Sequence, residues 1–174
     1  MRILELTNYL DSAIIIRNKH LKELKSGKKY AVKKLLEVIS MATFPEKEWI
    51  EALMIKLNSD QKYAKVAAKW EGDMIFKVEP SGAMAEETSF YLDLWHGKCR
   101  NAYIISDESD GKASFTLHAP YNNYVRLLQG ELDPMQAMLT RKIGVQGNMG
   151  VIMRSVPTVL DFVRCCREVT DGFV

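Results

Sequence analysis

The residues that could act as catalysts or metal ligands in this 174-residue sequence do not form a recognisable motif. The three histidines, His20, His96 and His118, are far apart in the chain, and the adjacent Cys165 and Cys166 lack the separation that a pair of zinc ligands needs. The sequence contains no phosphate-binding glycine loop, no paired-histidine metal motif and no Gly-x-Ser-x-Gly elbow. We therefore predict a protein that is not an enzyme and that needs neither a cofactor nor a metal ion.

Methionine is the residue type whose distribution suggests binding. Four of the nine methionines lie within residues 135–153, at Met135, Met138, Met149 and Met153. Methionine side chains are flexible and polarisable, so a wall built from them can accommodate apolar ligands of varying shape. Ordinary packing in a hydrophobic core is the alternative interpretation of the same cluster.

The hydrophobic periodicity predicts helices at both ends of the chain and strands between them. Spacings of three and four predict helices over residues 3–24 and 29–42, then two more before residue 72, the first opened by a capping box of Thr43 and Glu46. Alternation of apolar and polar residues predicts strands, the first four of them as a meander. Helices return after Pro120, including one that begins after Asp133 and a last one around Pro157. The predicted strands are 73–79, 89–95, 98–105, 112–118 and 142–146. The result is an α+β fold with a five-stranded, largely antiparallel sheet.

The charges divide the chain into two parts. The net charge is +2 overall, but residues 1–44 carry +5 and residues 45–174 carry −3. We predict that residues 1–44 form a basic helical hairpin that extends a separate domain over residues 45–174. The basic residues between 17 and 34 are interpreted either as a solvated helix face or as a transient contact with an anionic membrane. Nucleic acid is not an expected partner.

The cysteines and the start of the chain predict the compartment. Three cysteines are too few for a disulfide framework, and no uninterrupted apolar stretch resembles a signal peptide. We expect a reduced, cytoplasmic protein, with one residue of the Cys165-Cys166 pair in the core and the other partly exposed.

A specific pattern lies in the C-terminal half. Residues 124–137 read YVRLLQGELDPMQA, and residues 142–149 read KIGVQGNM. This pattern resembles the sterol carrier protein type two family, and the resemblance covers roughly residues 45–155. Members commonly have glycine where this chain has Arg141, and often a second basic residue where it has Gly144.

The resemblance implies a sheet covered by helices, with an apolar tunnel between the layers. Members of this family bind fatty acids, fatty acyl-CoA, sterols or other isoprenoid lipids and are not catalysts by themselves. Lys142 and Arg154 are candidates for contacting an anionic headgroup, and the helix around residues 156–163 is a candidate lid. The apolar faces, together with the resemblance, assign the tunnel lining to Phe76, Leu94, Phe115, Leu117, Leu127, Leu128, Met135, Met138, Leu139, Met149, Ile152 and Met153.

The leading prediction is therefore a cytoplasmic protein that binds or transfers a lipid. Two alternatives remain open. The chain is an interaction or dimerisation module built on residues 1–44, or an accessory subunit that presents an isoprenoid quinone or acyl intermediate to enzymes. The apolar stripe of the predicted hairpin must be buried, and we favour burial in a homodimer.

Overall fold

A computed structural model describes residues 42–106 and 112–174. The predicted hairpin, its basic residues and its dimer contact lie outside the described residues, except for Ala42, which is buried. The helices are α1 (Lys47–Ser59), α2 (Gln61–Val66), α3 (Tyr121–Gln129), α4 (Pro134–Leu139), α5 (Met149–Arg154) and α6 (Val156–Val169). The strands are β1 (Thr43–Phe44), β2 (Glu71–Glu79), β3 (Thr88–Trp95), β4 (Lys98–Ile104), β5 (Phe115–Pro120), β6 (Gly144–Gly147) and β7 (Gly172–Phe173). Within the described ranges, no helix has the length and hydrophobicity to cross a bilayer.

Five strands form one sheet in the order β4-β3-β2-β5-β6, and β1 pairs with β7 in a separate parallel pair. Three neighbouring pairs of the large sheet are antiparallel, and β2 with β5 is parallel. The prediction of an α+β fold with a five-stranded, largely antiparallel sheet is confirmed.

The predicted meander is correct for β2, β3 and β4 but wrong for the fourth strand. Strand β5 begins at Phe115 instead of residue 112 and lies beside β2 in the centre of the sheet. In this register Phe115 is opposite Met74 and Leu117 is opposite Phe76, so the apolar residues of both strands share one face. The chain therefore crosses over to place β5 beside β2, where this shared face is buried against the helices. A fourth meander strand would instead lie beside β4.

The short connections follow local chemistry in most places. His96 and Gly97 have positive φ angles of 48° and 73°, as a two-residue hairpin turn requires. The predicted capping box is wrong, because Thr43 belongs to β1 and Glu46 caps α1 without a side-chain hydrogen bond. Thr43 pairs with Gly172 and is therefore extended, so the Thr43 hydroxyl does not cap α1.

The predicted start of a helix after Asp133 is confirmed, and the turn before it follows from local chemistry. Gly130 ends α3 in the left-handed conformation, with φ of 86°. Asp133 caps α4 through a 2.8 Å hydrogen bond from the backbone N–H of Gln136, and Pro134 occupies the first helical turn.

Helix α6 lies over the other elements and packs against α1, α2, α3, α4 and α5. Because it is covered on several sides, both Cys165 and Cys166 are buried. The expectation that one of them is partly exposed is therefore wrong.

Candidate functional site

An apolar cavity of about 70 Å³ lies between the inner face of the sheet and the helices. One buried water needs roughly 10–15 Å³ by the same measure, so the cavity has room for about five to seven water-sized groups. Its wall exposes only apolar surface, which disfavours water and favours a hydrocarbon occupant. The lining comprises Phe44, Trp49, Tyr63, Trp70, Met74, Phe76, Phe90, Leu94, Leu117, Tyr124, Leu127, Leu128, Pro134, Met138, Ile143, Ile152, Thr158, Val159, Phe162, Val163 and Cys166.

The sheet contributes an aromatic floor to this cavity. Alternation along β2 and β3 directs Phe76 and Phe90 to the same side, and their rings stack at 4.9 Å between centroids. Phe162 of α6 stacks on Phe76 from the other layer, at 5.8 Å. Sheet and helix therefore meet directly beside the cavity.

Helix α6 forms one wall of the cavity. Val159, Phe162, Val163 and Cys166 recur at spacings of three and four, so they share the inward face of the helix. The helix runs to Val169, beyond the predicted range of 156–163. Its role as a lid remains a prediction.

Several polar atoms of the lining residues are hydrogen-bonded within the protein. The hydroxyl of Tyr124 donates to the carbonyl of Leu117 at 3.2 Å, and that of Thr158 donates to the carbonyl of Val66 at 3.0 Å. The indole N–H of Trp70 donates to a backbone carbonyl at 2.9 Å. These bonds engage three polar groups of the lining away from the cavity, in keeping with the apolar surface that the wall exposes.

Cys166 is the cysteine of the cavity lining, and its thiol is a potential nucleophile. Burial raises the pKa of Cys166 well above its ordinary value, because the thiolate would lose its solvation there. The thiol is therefore protonated at neutral pH and behaves as a small apolar group.

A cluster of charged side chains anchors α6 to the junction of α1 and α2. Arg164 donates to Asp60 at 2.9 Å and to Asp161 at 2.8 Å and 2.9 Å. Lys56 and Lys62 add further ion pairs, to Asp60 at 3.0 Å and to Asp161 at 2.9 Å. The hydrogen bonds from Arg164 and from the backbone N–H of Tyr63 hold the pKa of Asp60 well below its usual range. This cluster fixes the helix that forms the cavity wall.

In the same cluster, a carboxylate oxygen of Asp60, a carboxylate oxygen of Asp161 and Sγ of Cys165 lie within 4.8 Å of one another. This spacing is close enough for the three atoms to be considered as metal ligands. Both carboxylates already bind the guanidinium of Arg164, and burial raises the pKa of the Cys165 thiol to about 11. A divalent cation would have to displace the arginine, so the arrangement favours an ion-pair cluster over a metal site.

The structure brings seven of the twelve predicted lining residues to the cavity. They come from both the sheet and the helices, which supports the layered arrangement that the resemblance implies. The seven are Phe76, Leu94, Leu117, Leu127, Leu128, Met138 and Ile152.

The other five predicted residues do not line the cavity. Phe115 is on the inner face of the sheet but packs against Trp70, at 5.4 Å between ring centroids. Met135 and Met149 are partly buried against the core. Leu139 is 61% exposed and Met153 is 38% exposed, because each directly follows an inward residue on a helix of only six residues.

Sequence reasoning missed the aromatic part of the wall. Phe44, Trp49, Tyr63 and Trp70 precede the region of strong resemblance, and Phe162 follows it. Trp49 and Tyr63 lie in the two helices predicted before residue 72, and Phe90 lies in the predicted strand 89–95. The apolar spacing in these elements is itself a signal for burial. Nothing in a one-dimensional pattern separates a buried residue beside a cavity from one in solid core.

The two headgroup candidates lie on the surface. Lys142 and Arg154 are both exposed, and the carbonyl of Lys142 accepts a 2.8 Å hydrogen bond from the side chain of Asn123. Arg141 has a φ of 58° and so adopts the left-handed conformation for which glycine is best suited. The turn therefore keeps its shape although arginine occupies the position.

Gly144 has a steric role in this chain. A Cβ atom at Gly144 would overlap Nε2 of His118, whose Nδ1 is 3.0 Å from a carboxylate oxygen of Glu79. The absence of a side chain at residue 144 therefore lets β6 pair closely with β5 beside the imidazole.

Comparison with known proteins gives a consistent set of matches. The model of the SCP-2 sterol transfer family matches residues 50–159. Human sterol carrier protein 2 is 26% identical over 100 residues, which are 58% of this chain but 17% of the human protein's length.

Two solved structures share the fold. A crystal structure of sterol carrier protein 2 is 28% identical, with a TM-score of 0.66 over 72% of this chain and 98% of that one. The solution structure of a conserved hypothetical protein from Thermus thermophilus is 28% identical, with a TM-score of 0.68 over 76% of this chain and 94% of that one.

Proposed function

Because the chain belongs to the SCP-2 sterol transfer family, we propose that it is a lipid carrier, which holds the hydrocarbon part of a lipid in its apolar cavity and releases it unchanged. The ligand class we propose is a fatty acid, a fatty acyl-CoA or an isoprenoid lipid. The observation that carries the proposal is the cavity wall, which exposes only apolar surface and to which sheet and helices both contribute.

Hydrocarbon burial supplies enough free energy for this function without a polar anchor. Each buried methylene contributes about 0.8 kcal/mol, so roughly ten methylenes account for a dissociation constant near 1 μM. The same arithmetic makes discrimination between chain lengths weak, which suits a carrier better than a selective receptor.

Entry of a long chain requires the wall to open. The volume of about 70 Å³ is too small for ten methylenes, so we propose that side chains move apart as the ligand enters. Met138 and Phe162 are the candidates, since methionine is flexible and Phe162 is only partly buried.

The groups of the wall that could attack a bound lipid are held in unreactive forms. Burial raises the pKa of the Tyr63 phenol and keeps the Cys166 thiol protonated, and the hydroxyls of Tyr124 and Thr158 are bonded to backbone carbonyls. We therefore propose transport without catalysis. The cytoplasmic location, the homodimer and the membrane contact through residues 17–34 remain predictions.

A fluorescent fatty acid tests the proposal directly. Titration into the full chain is expected to give saturable binding at one site per chain, and an unlabelled fatty acid should displace the probe. Fluorescence that never saturates, or that no competitor reduces, would overturn the proposed function and favour an interaction module instead.

A further inference from the structure

Three pairs of neighbouring residues place one side chain in the cavity wall and the next in solvent. Met138, Ile152 and Val159 line the cavity, whereas the residues that follow them are among the exposed large apolar side chains. Those exposed residues are Leu139, Met153 and Leu160, on α4, α5 and α6. Because α6 packs against both α4 and α5, the three helices form one wall with an apolar inner side and apolar residues outside.

The charge of this wall differs from that of its surroundings. Residues 134–160, which span α4, α5 and the first five residues of α6, contain Arg141, Lys142 and Arg154 but no Asp or Glu, although residues 45–174 together carry a net charge of −3. The rest of α6 adds two basic and two acidic residues, so the wall as a whole keeps a net charge of +3. All three basic side chains are exposed, and none forms an ion pair with an acidic side chain in the part of the chain that the structure describes.

We propose that this outer surface docks on an anionic lipid bilayer, so that the wall formed by α4, α5 and α6 faces the membrane while lipid enters or leaves. We call it the docking surface, and it comprises Leu139, Arg141, Lys142, Met153, Arg154 and Leu160. The inference rests on the proposed function and names the partner of the same cavity.

The combination of side chains fits a membrane better than a protein partner. Apolar side chains enter the boundary between headgroups and acyl chains, and the basic side chains among them meet the lipid phosphates. Each basic residue close to an anionic surface raises the affinity for that surface by about five-fold. Three such residues together raise the affinity by roughly a hundred-fold. The attraction is screened by salt, so vesicle affinity should fall as ionic strength rises.

Two triple variants of the full chain test the charge contribution. The first is R141E/K142E/R154E, on the docking surface. The control is K69E/K77E/K112E, which changes three exposed lysines elsewhere and alters the net charge by the same amount. Co-sedimentation is measured with phosphatidylcholine vesicles that contain phosphatidylserine and with vesicles that lack it. Residues 17–34 are unchanged in every protein, so any contribution from them is the same throughout.

We expect the docking variant to lose roughly a hundred-fold or more in affinity for the anionic vesicles, and the control less than five-fold. A further variant, L139S/M153S/L160S, should weaken binding to both kinds of vesicle. Equal losses in the docking variant and the control would overturn the proposal, as would undiminished vesicle binding in either docking-surface variant. Loss of a dimer on light scattering in the serine variant, without a change in vesicle binding, would assign the surface to a second copy of the chain.

The binding of a fluorescent fatty acid to the unaltered chain, in the absence of vesicles, separates the two proposals. If the chain binds no fatty acid, the proposed function fails whatever the vesicles show. If it binds fatty acid but the docking variant keeps its vesicle affinity, only the docking surface is wrong.

Discussion

Filling the cavity at Met138 should abolish lipid binding while the fold persists. Met138 lines the cavity from α4, and its side chain is 6% exposed. Tryptophan has about six more heavy atoms than methionine, and the cavity of about 70 Å³ has room for roughly that number of water-sized groups. The indole therefore takes the space that the hydrocarbon chain would fill.

The magnitude follows from the methylenes that M138W displaces. Exclusion of about four to six methylenes, at about 0.8 kcal/mol each, removes roughly 3–5 kcal/mol of binding free energy. That loss raises the dissociation constant more than a hundred-fold. Insertion into a preformed space should cost the fold less than the roughly 1–3 kcal/mol typical of overpacking.

The assay is titration of a fluorescent fatty acid into the full chain without vesicles, with circular dichroism and thermal unfolding to verify the fold. The matched control is I55W, because Ile55 is an exposed apolar residue on α1 and its replacement adds an indole away from the cavity. A folded M138W protein that binds fatty acid as tightly as the wild type would refute this reasoning. So would an I55W protein that loses as much affinity.

Three further variants test the elements that hold the cavity wall. R164M should lower the free energy of unfolding by about 3 kcal/mol, because it leaves the buried Asp161 and the partly buried Asp60 without their main partner. The wild type should lose stability as the pH falls below about 4, since the folded pKa of Asp60 is depressed, and R164M should flatten that dependence in urea titrations across pH. R141G should raise the melting temperature slightly, because glycine adopts the left-handed backbone conformation of residue 141 without strain. The expected increase in the free energy of unfolding is below about 1 kcal/mol. A lower melting temperature would contradict the assignment of strain to Arg141. G144A should destabilise the fold by about 1–3 kcal/mol through overlap with the imidazole, and H118A should restore most of the loss in the double variant.

The parts of the fold that follow from local chemistry could be predicted from the sequence. Gly130 and the Asp133-Pro134 pair define the end of α3 and the start of α4, because a left-handed C-cap and an N-cap depend on only a few neighbouring residues. The strand β2 could also be predicted, since an alternating apolar pattern is a property of the strand itself. Burial departs from strict alternation at Ile75, which is buried between Met74 and Phe76.

The parts that depend on distant partners could not be predicted in this way. No local signal in β5 states that it pairs in parallel with β2 and not with β4, because pairing is decided by which apolar faces meet. Thr43 illustrates the same point, since its pairing with Gly172 near the chain's end overrides a plausible capping pattern.

The predicted lining and the observed cavity share seven residues, and two physical causes account for the main differences. In α4 and α5, each of only six residues, the periodicity is too short to orient the helix, so the inward Met138 and Ile152 could not be separated from the outward Leu139 and Met153. The missed aromatic lining, exemplified by Trp49, comes from elements outside the region of strong resemblance. Those residues reach the cavity only through tertiary packing.

Native mass spectrometry of the full chain with a long-chain fatty acid tests the central claim most directly. We expect a mass increase of one lipid per chain for the wild type and for I55W, and no bound lipid for folded M138W. The absence of bound lipid on the wild type, or equal occupancy of all three proteins, would contradict the claim that this cavity carries a lipid.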